Sequence, residues 1–149
     1  MDRNLGMTAW RAFLEAHAHV TELLEAELQA EKDLPLAWYD VLVHLQEAEA
    51  HRLRMTELAR KVLLSKSGLT RLVDRMCVGG LVERWPDEAD RRGRWVSLTG
   101  AGHDRLKDAA PIHLRGVREH FTSHLGEEAA KTLSASLGAI AEAADARRS

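Results

Sequence analysis

Residues 55–98 read MTELARKVLLSKSGLTRLVDRMCVGGLVERWPDEADRRGRWVSL. Within them, one set of apolar residues recurs at the i, i+3, i+4, i+7 spacing of a buried helix face: Leu69, Leu72, Val73 and Met76. A shorter helix precedes this one, with Thr56 as its expected N-cap and an inward face formed by Leu58, Ala59 and Val62. Residues 63–65 are expected to form a tight turn between the two. Two short helices joined in this way are typical of a helix-turn-helix.

The second half of the same segment predicts a β-hairpin. The pair Gly79–Gly80 is expected to end the longer helix. Residues 81–85 then predict a strand, residues 86–93 a charged tip, and residues 94–98 a returning strand. The expected fold class is therefore mainly α, with a winged helix-turn-helix core and a two-stranded β-wing.

The flanking segments predict long amphipathic helices. One helix is expected from Trp10 to about Glu31 and another from Leu36 to Ala48. After the core, Thr99 is the expected N-cap of a helix that runs to about Leu125, and a last helix follows from Glu127 to about Arg147. The predicted inward residues of the first two helices are Trp10, Phe13, Leu14, His17, Val20, Leu24 and Leu28, and then Trp38, Val41, Leu42 and Leu45.

The charges are unevenly distributed along the 149 residues. Residues 52–94 hold eleven Lys and Arg against six Asp and Glu, a net charge of +5, although the whole chain has a net charge of −2. Salt screening limits phosphate attraction to about 10 Å, so this basic centre suits a nucleic-acid partner despite its acidic flanks. The single Cys77, the absence of a long apolar run and the absence of a signal-peptide pattern predict a cytoplasmic protein with no membrane partner.

Two groups of polar residues are candidates for contact with double-stranded DNA. The first lies on the outer face of the predicted recognition helix: Ser65, Lys66, Ser67, Thr70, Arg71 and Arg75. The second lies at the wing, where arginines at a thin projection suit a minor groove: Arg91, Arg92 and Arg94. Asp74 is a possible partner of Arg75, and Asp87 or Asp90 of one wing arginine. The alternative is that both groups are ordinary solvated surfaces.

The outer helices outnumber what a winged-helix core requires. We therefore predict a homodimer in which the terminal helices of two chains cover each other, and a palindromic DNA site. The alternative is that these helices pack on their own domain. The predicted organisation is one domain over residues 1–149, with a DNA-binding lobe at about 34–98 and dimerisation helices at about 8–31 and 99–147.

The chain resembles the MarR family of bacterial transcription regulators from about residue 34 to 102. The resemblance rests on three segments that keep the order and spacing of that family's winged helix-turn-helix: SGLTRLVDRM, GGLVER and DRRGRWVSLTGAG. The resemblance implies a dimer joined through its terminal helices and a wing arginine, Arg91 or Arg92, in the minor groove. It also implies a repressor released by a small aromatic or phenolic effector. Candidate effector contacts, which are otherwise simple core residues, are Trp10, His17, Trp38 and His44.

Other functions were weighed against this one. Among eight histidines, His120 and His124 have the i, i+4 spacing of a zinc-binding pair, with His113 nearby, which leaves open a zinc-responsive regulator of the same fold. Further ligands would have to come from His17, His19, His44 or His103. A winged-helix module that binds protein is another alternative. No H-E-x-x-H or phosphate-binding glycine motif occurs, so neither an enzyme nor a cofactor is predicted, and Cys77 lacks a second cysteine for redox sensing.

Overall fold

The computed structural model describes residues 1–62 and 66–148. Its helices and strands are α1 (Arg3–Lys32), α2 (Leu36–Glu47), β1 (Arg52–Arg54), α3 (Met55–Lys61), α4 (Lys66–Val78), β2 (Val82–Asp87), β3 (Asp90–Leu98), α5 (Gly100–His120) and α6 (Glu127–Ala146). The chain divides into two compact units, a central unit (Leu24–His113) and a terminal unit (Met1–Leu23 with Leu114–Ser149). None of the helices in the described ranges combines the length and the apolar composition needed to span a bilayer.

The central unit contains the hydrophobic core and a three-stranded antiparallel sheet in the order β1–β3–β2. Side chains of all three strands line the core, because Leu53, Val82 and Val96 are buried. The sequence predicted only the two strands of the wing, so β1 is an addition to the expected fold. Leu53 pairs with Val96 in the register of the sheet, which ties the start of the helix-turn-helix to the base of the wing.

The helix-turn-helix follows the predicted pattern in α4. Its four predicted inward residues are all buried: Leu69, Leu72, Val73 and Met76. In α3, Leu58 and Val62 are buried as expected, but Thr56 is not the N-cap, because the helix already begins at Met55. The Glu57 carboxylate instead accepts a hydrogen bond from the Arg54 backbone N–H at 3.3 Å. The turn predicted at residues 63–65 lies outside the described residues.

The end of α4 confirms the role of the glycine pair. Gly80 has a φ of 76°, and the Leu81 N–H donates to the Met76 carbonyl at 3.0 Å, which is the hydrogen bond of a Schellman helix end. The wing is longer than predicted, because β2 continues to Asp87 and β3 begins at Asp90. The tip is therefore a two-residue turn, Glu88 and Ala89, and not the eight-residue loop expected from its charges. Pro86 is tolerated because β2 is an edge strand.

Helix α5 starts as predicted and ends early. The Thr99 hydroxyl accepts a hydrogen bond from the Gly102 N–H at 2.9 Å, so Thr99 caps the first turn. The helix ends at His120, and a short 3-10 turn over Thr122–His124 replaces the last turn that was predicted. Near its start, the Arg105 guanidinium donates to the carbonyls of Lys32 (2.6 Å) and Asp33 (3.0 Å), which holds the end of α1 in the central unit.

The terminal unit leaves most of its apolar side chains open to solvent. Helix α1 begins seven residues before the predicted start, and Trp10, Phe13 and Leu14 on its predicted inward face are exposed. Helix α6 closely matches its predicted bounds, yet none of its residues is buried. The apolar faces predicted for the terminal helices therefore exist, but they lack a cover in the single chain.

Candidate nucleic-acid interface

The outer face of α4 carries the predicted polar residues. Burial of the opposite face turns Ser67, Arg71 and Arg75 to the exposed side, and Thr70 lies beside them, half-buried. Within the described ranges, Arg71 and Arg75 have no hydrogen-bond or ion-pair partner, so their guanidinium groups are free to donate to a ligand. Lys66 is the first residue of α4, and Ser65 lies outside the described residues.

Asp74 is paired with the wing and not with its neighbour on α4. Its carboxylate Oδ1 accepts a hydrogen bond from the guanidinium of Arg84, which lies on β2. The predicted partnership of Asp74 with Arg75 is therefore wrong. Adjacent residues on a helix point about 100° apart, whereas Arg84 reaches Asp74 from the strand opposite. The pair connects α4 directly to the wing.

The three wing arginines differ in their environment. Arg91 and Arg92 are exposed beside the two-residue turn, and their side chains have no partner among the described residues. The Arg94 guanidinium folds back and donates to the backbone carbonyls of Gly93 (2.9 Å) and Arg91 (3.3 Å). The Asp90 carboxylate accepts a hydrogen bond from the backbone N–H of Arg92 at 3.0 Å. Asp90 thus bonds the backbone of the wing and not an arginine side chain.

The sheet presents a second basic group that the sequence analysis missed. The guanidinium carbons of Arg52 and Arg54 on β1 lie 4.3 and 4.9 Å from the ring centroid of Trp95. Trp85 is the cross-strand partner of Trp95, and its indole N–H donates to the Ser97 hydroxyl at 2.8 Å. The alternation Arg-Leu-Arg at residues 52–54 was the available signal, since a period of two indicates a strand with one buried side.

Comparison with known proteins identifies the family of this arrangement. A model of the MarR family matches residues 32–93, which include α2, the helix-turn-helix and most of the wing. The crystal structure of AbsC, a MarR family transcriptional regulator from Streptomyces coelicolor, is 36% identical, with a TM-score of 0.88 and 98% of each chain covered. The chain belongs to the MarR family.

Two further relatives of this MarR-family chain have informative names. Sco3205, a MarR family regulator from Streptomyces coelicolor solved in complex with DNA, is 32% identical with a TM-score of 0.87, over 96% of this chain and 89% of that one. The transcriptional repressor YetL of Bacillus subtilis is 31% identical over 60% of this chain. The matched segment spans 54% of the length of YetL. The protein is thus a MarR-family transcriptional regulator.

The four candidate effector contacts fall in both units of this MarR-family fold. In the terminal unit, Phe13 lies between Trp10 and His17, with ring centroids 6.0 and 6.2 Å away. In the central unit, Trp38 is half-buried against the core, and His44 Nε2 lies 3.4 Å from the Asp40 carboxylate. Trp38 was predicted to be an inward residue of α2, and it packs against the core, but the fully buried aromatic of that helix is Tyr39. The assignment of these four residues to an effector stays a prediction.

The histidines predicted to form a zinc-binding pair do not lie on one helix. His124 lies in the 3-10 turn beyond the end of α5, so the predicted i, i+4 helical pair with His120 is wrong. The His113 ring lies 4.4 Å from the ring of Tyr39, and burial lowers the pKa of His113 while Asp40 opposes that shift. Burial raises the pKa of Asp40, against the effects of His44 and His113.

Cys77 on α4 is half-buried. Burial, and then the charge of Glu83, raise the pKa of the Cys77 thiol. A higher pKa keeps the thiol protonated and lowers its reactivity, since the thiolate is the nucleophile. This agrees with the sequence interpretation, which did not favour a redox role for Cys77.

Proposed function

We propose that this regulator binds a specific palindromic operator as a homodimer and represses transcription until a small molecule releases it. The observation that carries the proposal is the pair Arg71 and Arg75 on the outer face of α4. Their guanidinium groups have no partner among the described residues, and the opposite face of the helix is buried in the core. An arginine on such a helix can donate two parallel hydrogen bonds to guanine O6 and N7 in a major groove.

The wing supplies a second contact in this proposal. Arg91 and Arg92 stand beside the turn of a narrow hairpin, and the Asp74–Arg84 pair ties that hairpin to α4. Arginine side chains are favoured in narrow minor grooves because negative potential is concentrated there. Ser67 and Thr70 in the first turns of α4 would add contacts to the DNA backbone, and Ser65 and Lys66 stay predicted contacts from the sequence. Sco3205, which shares this fold, was solved in complex with DNA.

The proposed partner of the terminal unit is a second copy of the chain. Its described residues expose ten large apolar side chains: Met1, Leu5, Met7, Trp10, Phe13, Leu14, Leu23, Leu114, Phe121 and Ile140. An open, largely apolar face also runs along the start of α6, where Leu125, Ala129 and Leu133 lie on one side of the helix. Contiguous exposed apolar surface marks an interaction site. Two subunits related by a two-fold axis would read two identical half-sites of a palindrome.

The effector part of the proposal is supported by composition, and the repressor part by the name of one relative. YetL is a repressor, and the four candidate residues Trp10, His17, Trp38 and His44 offer aromatic faces and titratable nitrogens. An aromatic or phenolic molecule would act through its different affinities for the DNA-competent conformation and for the alternative one.

Selection of duplexes from a random pool tests the core of this proposal. We expect the protein to recover a palindromic sequence, because two identical subunits read the same half-site in opposite directions. The affinity for that duplex should fall steeply with salt. In a plot of log affinity against log salt concentration, each phosphate contact should contribute about −0.9 to the slope. Recovery of no consensus, together with no binding at low salt, would favour the protein-interaction module instead.

Replacement of both Arg91 and Arg92 by Ala is expected to lower affinity for the selected duplex at least about ten-fold and to flatten its salt dependence. The fold should be nearly unaffected, since exposed substitutions usually change stability by less than about 0.5 kcal/mol. Fluorescence anisotropy over a salt series measures both quantities. The matched control replaces Arg147 and Arg148, which follow α6, and should bind normally. An unchanged salt slope in the wing variant would show that the wing does not contact DNA.

A further inference from the structure

The wing contains a buried carboxylate that DNA contact alone does not explain. Asp87 is 7% exposed, and it is the one buried charged side chain within residues 1–62 and 67–148. Its Oδ1 accepts a hydrogen bond from the Ala89 N–H at 2.9 Å, which closes the two-residue turn. A buried charge is costly to maintain unless it is paired, so its partner is informative.

That partner is Arg54, on the far strand of the sheet. The Arg54 Nε lies 2.9 Å from Asp87 Oδ2. Because β3 lies between β1 and β2, the Arg54 side chain crosses the middle strand, where it stacks on Trp95. The pair therefore joins the two outer strands of the sheet just below the wing turn.

Gly93 provides the space for this arrangement. A Cβ at position 93 would lie 3.0 Å from the Asp87 Cβ and 3.3 Å from Asp87 Oδ2. A larger residue would thus displace the carboxylate from its position across the hairpin. Three separate features, the buried charge, the cross-sheet guanidinium and the glycine, converge on one arrangement.

We propose that Arg54 is a positioning residue, which holds the wing through Asp87 and so directs Arg91 and Arg92 toward DNA. This inference rests on the proposed function. An isolated two-stranded hairpin is marginally stable in water, and ordering it on binding would cost affinity. The Arg54–Asp87 pair meets that cost in the free protein, because it attaches the turn to β1.

Asp87→Asn tests the proposal by the sign of its effect. The substitution removes a negative charge beside the proposed DNA surface, so electrostatics alone would strengthen binding. Loss of the anchor should instead weaken binding to the selected duplex by about ten-fold. The matched control is Glu88→Gln, which removes a neighbouring exposed charge and should bind equally well or more tightly. Binding by Asp87→Asn that is unchanged or tighter overturns the proposal.

Arg54→Gln provides the second arm, with Arg52→Gln as its control. Both arginines are exposed on β1 and stack on Trp95, but Arg54 alone reaches Asp87. Arg54→Gln should therefore lose more affinity than Arg52→Gln. The double variant Arg54→Gln/Asp87→Asn leaves no unpaired buried charge, so it keeps the test valid if a single variant fails to fold. We expect the double variant to bind weakly, and recovery of full affinity would overturn the proposal.

Two further readouts separate positioning from general stability. Hydroxyl-radical protection of the minor groove should disappear in Asp87→Asn, whereas methylation protection of guanine N7 in the major groove should remain. Loss of both protections in a folded variant would indicate a general structural role and would overturn the proposal. If the wild-type protein binds no duplex, the proposed function itself fails. If it binds and the Arg91/Arg92 variant is weakened, but Asp87→Asn is not, only this inference fails.

Discussion

Removal of residues 127–149 is expected to convert the proposed dimer into a monomer. Its affinity for a duplex with two half-sites should fall at least about 100-fold, because two linked DNA-binding lobes gain that much from effective concentration. The deletion takes away all of α6, whose residues are unburied in the single chain and thus contribute little to its own core. Sedimentation equilibrium would measure the oligomeric state, and titration of the selected duplex the affinity.

A shorter deletion is the control for this result. Removal of residues 147–149 leaves α6 whole, so this variant should remain dimeric and bind normally. If the long deletion also remains dimeric, α6 is not the dimerisation helix, and the exposed apolar residues of α1 and α5 become the remaining candidates.

Gly102→Ala is expected to destabilise the protein by about 3 kcal/mol, at the upper end of the usual cost of overpacking. A Cβ at this position would overlap the carbonyl oxygen of Leu81 and lie 2.8 Å from the Leu98 Cδ1. That carbonyl cannot easily move, because it accepts a hydrogen bond from the Thr99 N–H at 3.1 Å. Urea unfolding at one fixed protein concentration would measure the difference, since dimerisation makes stability depend on concentration.

Gly100→Ala is the matched control for Gly102→Ala. Both glycines lie in the first turn of α5, but a Cβ at position 100 meets no atom within 4 Å. The control should change stability by no more than about 0.5 kcal/mol, or increase it slightly through helix propensity. Equal losses in both variants would show that helix entry, and not the contact with Leu81, determines the cost.

The sequence predicted well those elements whose signals are local. The buried face of α4 has an unbroken 3.6-residue period, and Gly80 of the Gly79–Gly80 pair provides the left-handed helix end. The Thr99 hydroxyl caps α5 by accepting a hydrogen bond from the N–H of Gly102, three residues later. Each of these depends on residues within one or two helical turns. The helix α4 with its buried face, the end of that helix and the start of α5 were therefore placed correctly.

The features that the sequence did not predict depend on partners distant in the chain. Residues 86–93 were interpreted as a loop because they are charged. Asp87 is nevertheless buried, and its carboxylate is paired with Arg54, which lies 33 positions earlier in the chain. The strand β1 is three residues long and contains no β-branched side chain. The exposure of Trp10 and Phe13 has a similar reason, since periodicity indicates an apolar face without indicating which chain covers it.

The ion pair between Asp74 and Arg84 joins α4 to the wing within one subunit. If α4 occupies a major groove and the wing the next minor groove, the distance between those two contacts is set inside one subunit. A half-site in which the two grooves lie farther apart or closer together would then not match the distance between α4 and the wing of one subunit. If the protein binds DNA as the proposed homodimer, we expect differences in operator spacing to be accommodated where the two subunits join. The spacer between half-sites, and not the half-site, is then the place where related operators can vary.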